Sequence, residues 1–599
     1  MTLRRLFKRF QRDDDPFLYP GEEIRPARTK ARVTLHGPGR KHVEIGRTRL
    51  VVAAGLFACA FSLVGFRLVD LMLLKGGEPP VSIARRAATA EYDEGRADIV
   101  DRNGILLATN LPTVNLYAKP NLIADPADAA KRLTEVLPDL AYKEVYDKLA
   151  SGKKFVYIDR NLTPREQQDV NALGLVGVDF EDASRRIYPQ GALAAHVVGA
   201  TDLDNNGIAG IELTFNDKLN EGGKPLKLAV DIRVQAAVRD ELLYAMEKFK
   251  AVGATGLVLD IQTGELVSMV SLPDYDPVHI GTAGQDQRFN KATLGVYEMG
   301  STFKLFNTAM ALESGKIGLN SRYDVENPIR VARFTIRDSH PEHGLMDVGQ
   351  ILVKSSNIGS VRMVLELGTE MQKAFLGKLG MLQPISIELP ENGAPLYPNP
   401  WREVNTMTIS FGHGIAVTPV HLARATAAMV NGGALPSVTL LKKDENYQVD
   451  GRAVISPQTS DIMRRLMRAV VEQGTAKKAN VPGYRVGGKT GTAEKVSSAG
   501  GYARRAVMTS FVGAFPMDAP RYVILAVLDE PQPLKETYGF ITSGWNAAPT
   551  AGRIVARIAP LLGVFPSFEP LTPAALPERR PAGILEAAAT GRDADAIIE

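Results

Sequence analysis

Gly256-Leu257-Val258-Leu259-Asp260-Ile261-Gln262-Thr263-Gly264-Glu265-Leu266-Val267-Ser268-Met269-Val270 holds two apolar runs, Gly256 to Leu259 and Leu266 to Val270. They are joined through Gln262, Thr263 and Gly264, which is the signature of a β-hairpin. Helical segments occupy the middle of the region that follows, and strand-like runs return only at Met508 to Ala514 and Tyr522 to Leu528. Strands at both ends with helices between predict an antiparallel sheet covered by helices, in which the first and last segments pair. The fold class is α/β in the broad sense, α+β in detail.

Outward from that stretch, 599 residues exceed one ordinary domain, so two or three folded units are expected. Hydrophobic residues make up 45% and charged residues 23%, which are globular values, while 54 Gly and 37 Pro promise many turns. A net charge of +4 over this length gives no reason to expect nucleic acid as a partner. Cys59 is the only cysteine, so no intrachain disulfide can form. The eight His residues are scattered, with no His-Glu-x-x-His or Cys-x-x-Cys pair, so neither a metal nor any other cofactor is expected.

Positive charge is concentrated at the start. Thirteen Lys and Arg residues, from Arg4 to Arg49, precede the first long apolar run and outnumber the acids there about two to one. Leu50 to Phe66 carries no charge, and Leu68 to Leu74 extends it around Arg67 and Asp70. At ~1.5 Å rise per residue, about 20 residues cross ~30 Å of hydrocarbon. Residues 50–74 are therefore expected to form one transmembrane helix, with a cytoplasmic basic leader over 1–49 and the rest outside the membrane. A cleaved signal peptide competes, but the leader is too long, and Ala88-Thr89-Ala90 lies well past the apolar run.

Residues 81–224 mix short strands, such as Ala97 to Val100 and Val114 to Ala118, with helical runs at Ala127 to Leu137 and Pro164 to Leu173. No catalytic constellation occurs there. The second exported unit is placed at 225–565, and 566–599 has the composition of a disordered tail.

Gly300-Ser301-Thr302-Phe303-Lys304 opens a helical segment that carries Leu305, Phe306, Ala309, Met310 and Leu312 and stops at Gly315. Ser301 and Lys304 share a face, within hydrogen-bonding reach. The positive helix end and apolar neighbours disfavour an ammonium, so a neutral Lys304 can accept the Ser301 proton. The Ser301 N–H is free at that terminus to face an oxyanion. Taken alone, Ser-x-x-Lys is weak evidence and reads better as a capping serine with a solvent-facing lysine.

Two later elements change that balance. Lys354-Ser355-Ser356-Asn357 lies between the helical runs Val348 to Val353 and Ile358 to Leu367, where a loop can aim Ser355 and Asn357 into a cleft. In Gly487-Gly488-Lys489-Thr490-Gly491-Thr492-Ala493, extended backbone puts Thr490 and Thr492 on one face, and glycine admits close approach of a ligand. Thr492 can supply a second oxyanion N–H. Gly483 to Thr490 also fits the spacing of a nucleotide-binding loop. That reading is set aside because Tyr484 to Val486 has strand character and Pro482 precedes it.

The ordered set Ser301-Thr302-Phe303-Lys304, Ser355-Ser356-Asn357 and Lys489-Thr490-Gly491-Thr492 resembles the three active-site motifs of penicillin-binding proteins. The likeness runs from about 50 to 560. It includes Arg96 to Gly104, Arg186-Ile187-Tyr188-Pro189, Ala195 to Gly199 and Gly207 to Glu212, which look like pedestal signatures of class B members. Tyr297-Glu298-Met299-Gly300 matches too, with Met299 where the family usually has Pro, as does Gly412 to Pro419.

The resemblance implies a serine transpeptidase/β-lactamase-like domain behind an elongated pedestal, and within class B the division-specific septal type. It implies acylation of Ser301 by the penultimate D-Ala of a stem peptide, then transfer to an amine on a neighbouring stem. Lys304 would act as base and Ser355 as proton relay. Asn357 would hold the substrate amide, Lys489 would support Ser355, and Thr490, Gly491 and Thr492 would bind substrate. Expected partners are peptidoglycan stems, β-lactam antibiotics, a SEDS-family glycosyltransferase and other division proteins, at the bacterial cytoplasmic membrane. Polymerase activity is not expected, because Glu181 to Arg185 only superficially resembles the acidic glycosyltransferase motif. Competing readings are an elongation-type transpeptidase, a β-lactamase and a β-lactam sensor.

Overall fold

The computed structural model describes residues 95–568 apart from 332–333, 445–446, 448–450 and 497–501, together with 51–52, 54–59 and 61–62. The chain divides into two compact units, Met1–Tyr92 and Asp93–Glu599. In the first, the described residues are helical, and Val51, Val52, Leu56, Phe57 and Phe61 are exposed. The leader and most of the expected membrane span lie outside the described residues. No helix among the described residues is long and apolar enough to cross a membrane.

The second unit opens with β1 (Ile99–Val100) and the long β2 (Leu106–Ala118). Helices α1 (Pro126–Val136) and α2 (Tyr142–Leu149), strand β3 (Val156–Leu162), helix α3 (Pro164–Ala172) and strands β4 (Val178–Ile187) and β5 (Leu226–Lys227) follow. The sheet order is β3-β2-β1-β5, with β4 paired along β2 from Thr109↔Ile187 to Ala118↔Val178. Pro126 and Pro164 start their helices behind Asp125 and Thr163, whose side chains cap the free N–H groups. Leu116, Leu133, Val145, Leu149 and Ile158 form a separate apolar core there. Glu181 to Arg185 lies within β4, where Glu181 accepts from the Tyr157 hydroxyl at 2.7 Å.

Near the start of this unit, Glu212 is fully buried between two arginines. Arg96 Nε reaches Glu212 Oε2 at 2.6 Å, and Arg186 Nε reaches Oε1 at 2.7 Å. Each carboxylate oxygen is thus paired with a guanidinium, which is the condition for burying such charges.

Helix α4 (Ile232–Phe249) leads into β6 (Gly253–Asp260) and β7 (Leu266–Leu272), the hairpin read from the sequence. After α5 (Lys304–Glu313), α6 (Val348–Lys354), α7 (Asn357–Leu367), α8 (Pro419–Val430) and α9 (Pro457–Gln473), the chain returns to the sheet. It does so as β8 (Gly487–Val496), β9 (Tyr502–Phe515) and β10 (Tyr522–Asp529), followed by α10 (Ala547–Leu561). The sheet order is β8-β9-β10-β6-β7, antiparallel throughout, so the first and last strands do pair, with Ala526 opposite Gly256. Every residue of β6 and β10 is buried, which requires helices on both faces. β8 is left at the edge.

Two sequence expectations are corrected. Tyr484 to Val486 is a turn and irregular backbone, with Arg485 at φ 41, and the strand begins at Gly487. The exclusion of a phosphate loop stands on other ground: Lys489 and Thr490 sit inside a strand and not at a helix N-terminus. Ser301 does not lie in an α-helical turn. Gly300–Phe303 is a 3₁₀ turn, and α5 begins only at Lys304. Of the expected tail, residues 566–568 are described, with Ser567 N donating to Gly483 O at 2.8 Å. The rest lies outside the described residues.

Candidate active site

The 3₁₀ turn before α5 holds Ser301 three residues ahead of Lys304, and Phe303 and Phe306 form an apolar bed beneath them, edge to face at 5.7 Å. Lys304 is 1% exposed. Its Nζ lies 2.9 Å from Ser301 Oγ, 2.7 Å from Ser355 O, 2.7 Å from Asn357 Oδ1 and 3.1 Å from Ser355 Oγ. Burial, and then the charge of Lys489, push Lys304 well below the ordinary lysine value, against a smaller opposing effect of Asp338. A neutral amine has two hydrogens and one lone pair. The carbonyl of Ser355 and the amide oxygen of Asn357 only accept, so they take the two hydrogens and leave the lone pair for the Ser301 hydroxyl.

Ser355 ends α6 in the left-handed region, at φ 64. A non-glycine residue there costs on the order of 1 kcal/mol and is held only where its surroundings demand it. Here the demand is visible, because Ser355 Oγ also accepts from Lys489 Nζ at 2.9 Å. Lys489 is fully buried, and that burial lowers its pKa to about 7. Two amines from opposite ends of the fold thus meet on one serine hydroxyl.

Asp338, which sequence reasoning missed, holds the next turn. It accepts from Ser356 Oγ at 2.6 Å, from Ile358 N at 3.0 Å and from Asn357 N. An acidic side chain on the first N–H groups of α7 is where a helix terminus favours negative charge. Asn357 Nδ2 is fixed by Arg337 O at 2.9 Å, which turns its Oδ1 toward Lys304. Asp338 carried no signal in the sequence, because it lies outside any periodic segment.

On β8, Thr490 and Thr492 both line the cleft, as the alternation of a strand requires. Thr490 Oγ1 is 2.6 Å from Thr475 Oγ1. Thr492 Oγ1 accepts from Ser543 N at 3.1 Å and so keeps its own hydrogen to donate. Thr475 and Ser543 were also missed; both come from segments remote in sequence. Gly491 packs so tightly that a Cβ there would sit 2.3 Å from Met299 O and 2.8 Å from Thr302 Cγ2. Gly300, at φ 55, brings its own backbone against Thr492, where a Cβ would lie 2.5 Å from the carbonyl oxygen and 3.1 Å from the nitrogen. Strand β8 and the Ser301 turn therefore meet backbone to backbone.

Ser301, Ser355, Asn357, Thr490 and Thr492 open on one cleft of about 630 Å³, shared with Phe411, His413, Glu494, Lys477 and Lys478 among others. Lys489 lies behind it, through Ser355. Burial holds the His413 imidazole below its ordinary pKa. Among the described residues, no group of three or more His, Cys, Asp or Glu side chains is placed to hold a metal ion.

Residues 254–554 match the family described as the penicillin binding protein transpeptidase domain, and residues 93–225 match the penicillin-binding protein dimerisation domain. A probable peptidoglycan D,D-transpeptidase FtsI of Caulobacter vibrioides is 39% identical over 546 residues, covering 89% of this chain and 91% of that protein. The peptidoglycan D,D-transpeptidase FtsI of Escherichia coli K12 is 28% identical over 530 residues, covering 83% and 87%. The crystal structure of penicillin binding protein 3 of Mycobacterium tuberculosis with ampicillin superposes with a TM-score of 0.64 at 26% identity, over 80% of this chain and 98% of that one. With both domains matched in order and the Ser301, Ser355 and Lys489 motifs converging on one cleft, the chain belongs to the class B penicillin-binding proteins, the serine-type D,D-transpeptidases.

Proposed function

We propose that this chain cross-links peptidoglycan stem peptides during septal wall synthesis, through an acyl-enzyme on Ser301. The observation that carries this reading is the Lys304 amine, buried and 2.9 Å from Ser301 Oγ. Lys304 takes the Ser301 proton as Oγ attacks the carbonyl of the penultimate D-Ala. The N–H groups of Ser301 and Thr492 receive the oxyanion. The proton passes through Ser355 to the leaving amine, the C–N bond breaks and D-Ala departs. An acceptor amine then attacks the ester, a new C–N bond forms, and the C–Oγ bond breaks. The amine proton returns to Ser301 along the same relay. Lys489 keeps Ser355 oriented, Asn357 holds the substrate amide, and Thr490 and Thr492 frame the terminal carboxylate, with Gly491 between them packed against the Ser301 turn.

β-Lactams acylate the same serine in this reading. The chain sits in the bacterial cytoplasmic membrane through residues 50–74, with 1–49 inside and both the pedestal (81–224) and the catalytic domain (225–565) outside. The run of exposed apolar side chains from Val51 to Phe61 supports that anchor. Glycan strands come from a SEDS-family partner. Full-length protein given a pentapeptide donor and an amine acceptor should release D-Ala and form the new amide, and S301A should do neither. Amide formation by S301A contradicts the assignment. A tagged chain at midcell supports the septal role, whereas sidewall localisation favours the elongation type.

A further inference from the structure

Glu494 follows Thr492 on the same face of β8 and is one of the residues that line the cleft. Its sequence neighbour Lys495 is committed elsewhere, to Asp529 at 2.8 Å and Glu530 at 2.7 Å. Successive side chains of a strand point to opposite faces, so Lys495 is directed away from the face that carries Glu494, and the register irregularity there inserts its extra residues in β9. The cleft's other carboxylate, Asp338, is spent on the N-terminus of α7. Among the described residues Glu494 makes no hydrogen bond or ion pair. Opposite it in the ladder is Val507, 4% exposed and also lining the cleft.

β8 is an edge strand, so an extended peptide can add alongside it. Under the proposed function, the donor's terminal carboxylate lies by Thr490 and its reacting carbonyl by Ser301 and Thr492. An antiparallel peptide then runs from Glu494 toward Thr490. At ~3.4 Å per residue, Glu494 is ~7 Å along the strand from Thr492, beside the residue that precedes the D-alanyl pair. In a stem this is the diamino residue, whose side chain bears a free amine until it is cross-linked.

We propose that Glu494 is a specificity-determining residue that recognises the free side-chain ammonium of the donor stem's diamino residue. The methylene chain lies over Val507, and the enzyme thereby selects donors whose own amine has not been cross-linked. This rests on the transpeptidase reading. No bond is made or broken at Glu494; the interaction is an ion pair at a half-buried position.

The test compares two pentapeptide donors with full-length protein, one with a free side-chain amine at the third residue and one with that amine N-acetylated. D-Ala release is measured over a range of donor concentrations. The wild type should favour the free amine by roughly two- to fivefold in kcat/KM, as expected for one partly screened ion pair. In E494Q the ratio should fall to about one, in E494K it should drop below one, and E494D should restore part of it. Thermal unfolding of each variant separates loss of fold from loss of preference. Equal use of both donors by the wild type, or an unchanged preference in folded E494Q, overturns the inference. Failure of the wild type to be acylated by benzylpenicillin would instead overturn the transpeptidase reading beneath it.

Discussion

The proton inventory around Lys304 decides the chemistry at the scale of single residues. Its two acceptor-only neighbours account for both hydrogens of a neutral amine, and Lys489, lowered to about 7, carries the compensating charge next door. Under the proposed mechanism, acylation runs with Lys304 neutral and with a protonated Lys489 donating to Ser355. The rate should rise as Lys304 loses its proton and fall again as the pH passes through the region of 7, where Lys489 discharges. Stopped-flow acylation by a chromogenic cephalosporin against pH checks both limbs, and a profile that climbs monotonically to pH 10 would exclude the arrangement. K304M should slow acylation by about 10²- to 10⁴-fold and cost about 1–3 kcal/mol of stability, since a thioether of similar length fills the space but leaves the Ser355 carbonyl and Asn357 Oδ1 without their donor. Ser301 and Lys304 were legible because both partners sit one turn apart in the sequence. The two acceptors that tune Lys304 come from a loop about fifty residues on, and a single motif cannot reveal a tertiary hydrogen bond.

Among the elements, the active site depends on how the ends of α6, α7 and β8 are held. D338A removes the cap on α7 and should cost about 1–2 kcal/mol by chemical denaturation. It should reduce the acylation rate more than the stability loss alone explains, because Asn357 loses its anchor. G491A should leave secondary structure unchanged by circular dichroism yet abolish acylation, since its Cβ would displace Met299 and with it the nucleophile turn. The β6–β7 hairpin was legible because two continuous apolar runs around a Gly-containing turn are a local signal, and the pairing of β6 with β10 was legible because strands lie at both ends of a helical middle. Tyr484 to Val486 was misread for the opposite reason. Its composition suits a strand, but Met517 N on Arg485 O at 3.0 Å and the Arg485–Asp518 ion pair hold it as a turn. Asp338, Thr475 and Ser543 were invisible, since only the tertiary fold brings them to the motifs.

At the scale of the whole molecule, the Asp93–Glu599 unit is tied together by buried polar contacts as well as by its apolar core. E212A would leave two buried guanidinium groups unpaired and should cost about 3–5 kcal/mol, read as a drop in the unfolding midpoint. His196, 7% exposed, packs edge to face on Tyr275, and burial lowers its pKa to about 4. The unfolded chain takes up that proton near 6.5 and the folded chain does not, so stability is full above pH 6.5 and lost as the pH falls toward 4. The loss from this residue should reach roughly 3 kcal/mol, and H196Q should flatten it in urea titrations at pH 7 and pH 4. The ordered motifs made the family legible, because they are written in linear order, whereas the anchor expected from charge bias and the apolar run lies mostly outside the described residues. The meeting of Lys304 and Lys489 on Ser355 is a property of the folded chain alone. The central claim, that Ser301 is the residue acylated, is tested most directly by intact-mass and peptide mapping of the full-length protein after benzylpenicillin: one adduct on Ser301 is predicted, and no adduct, or an adduct on another side chain, would contradict it.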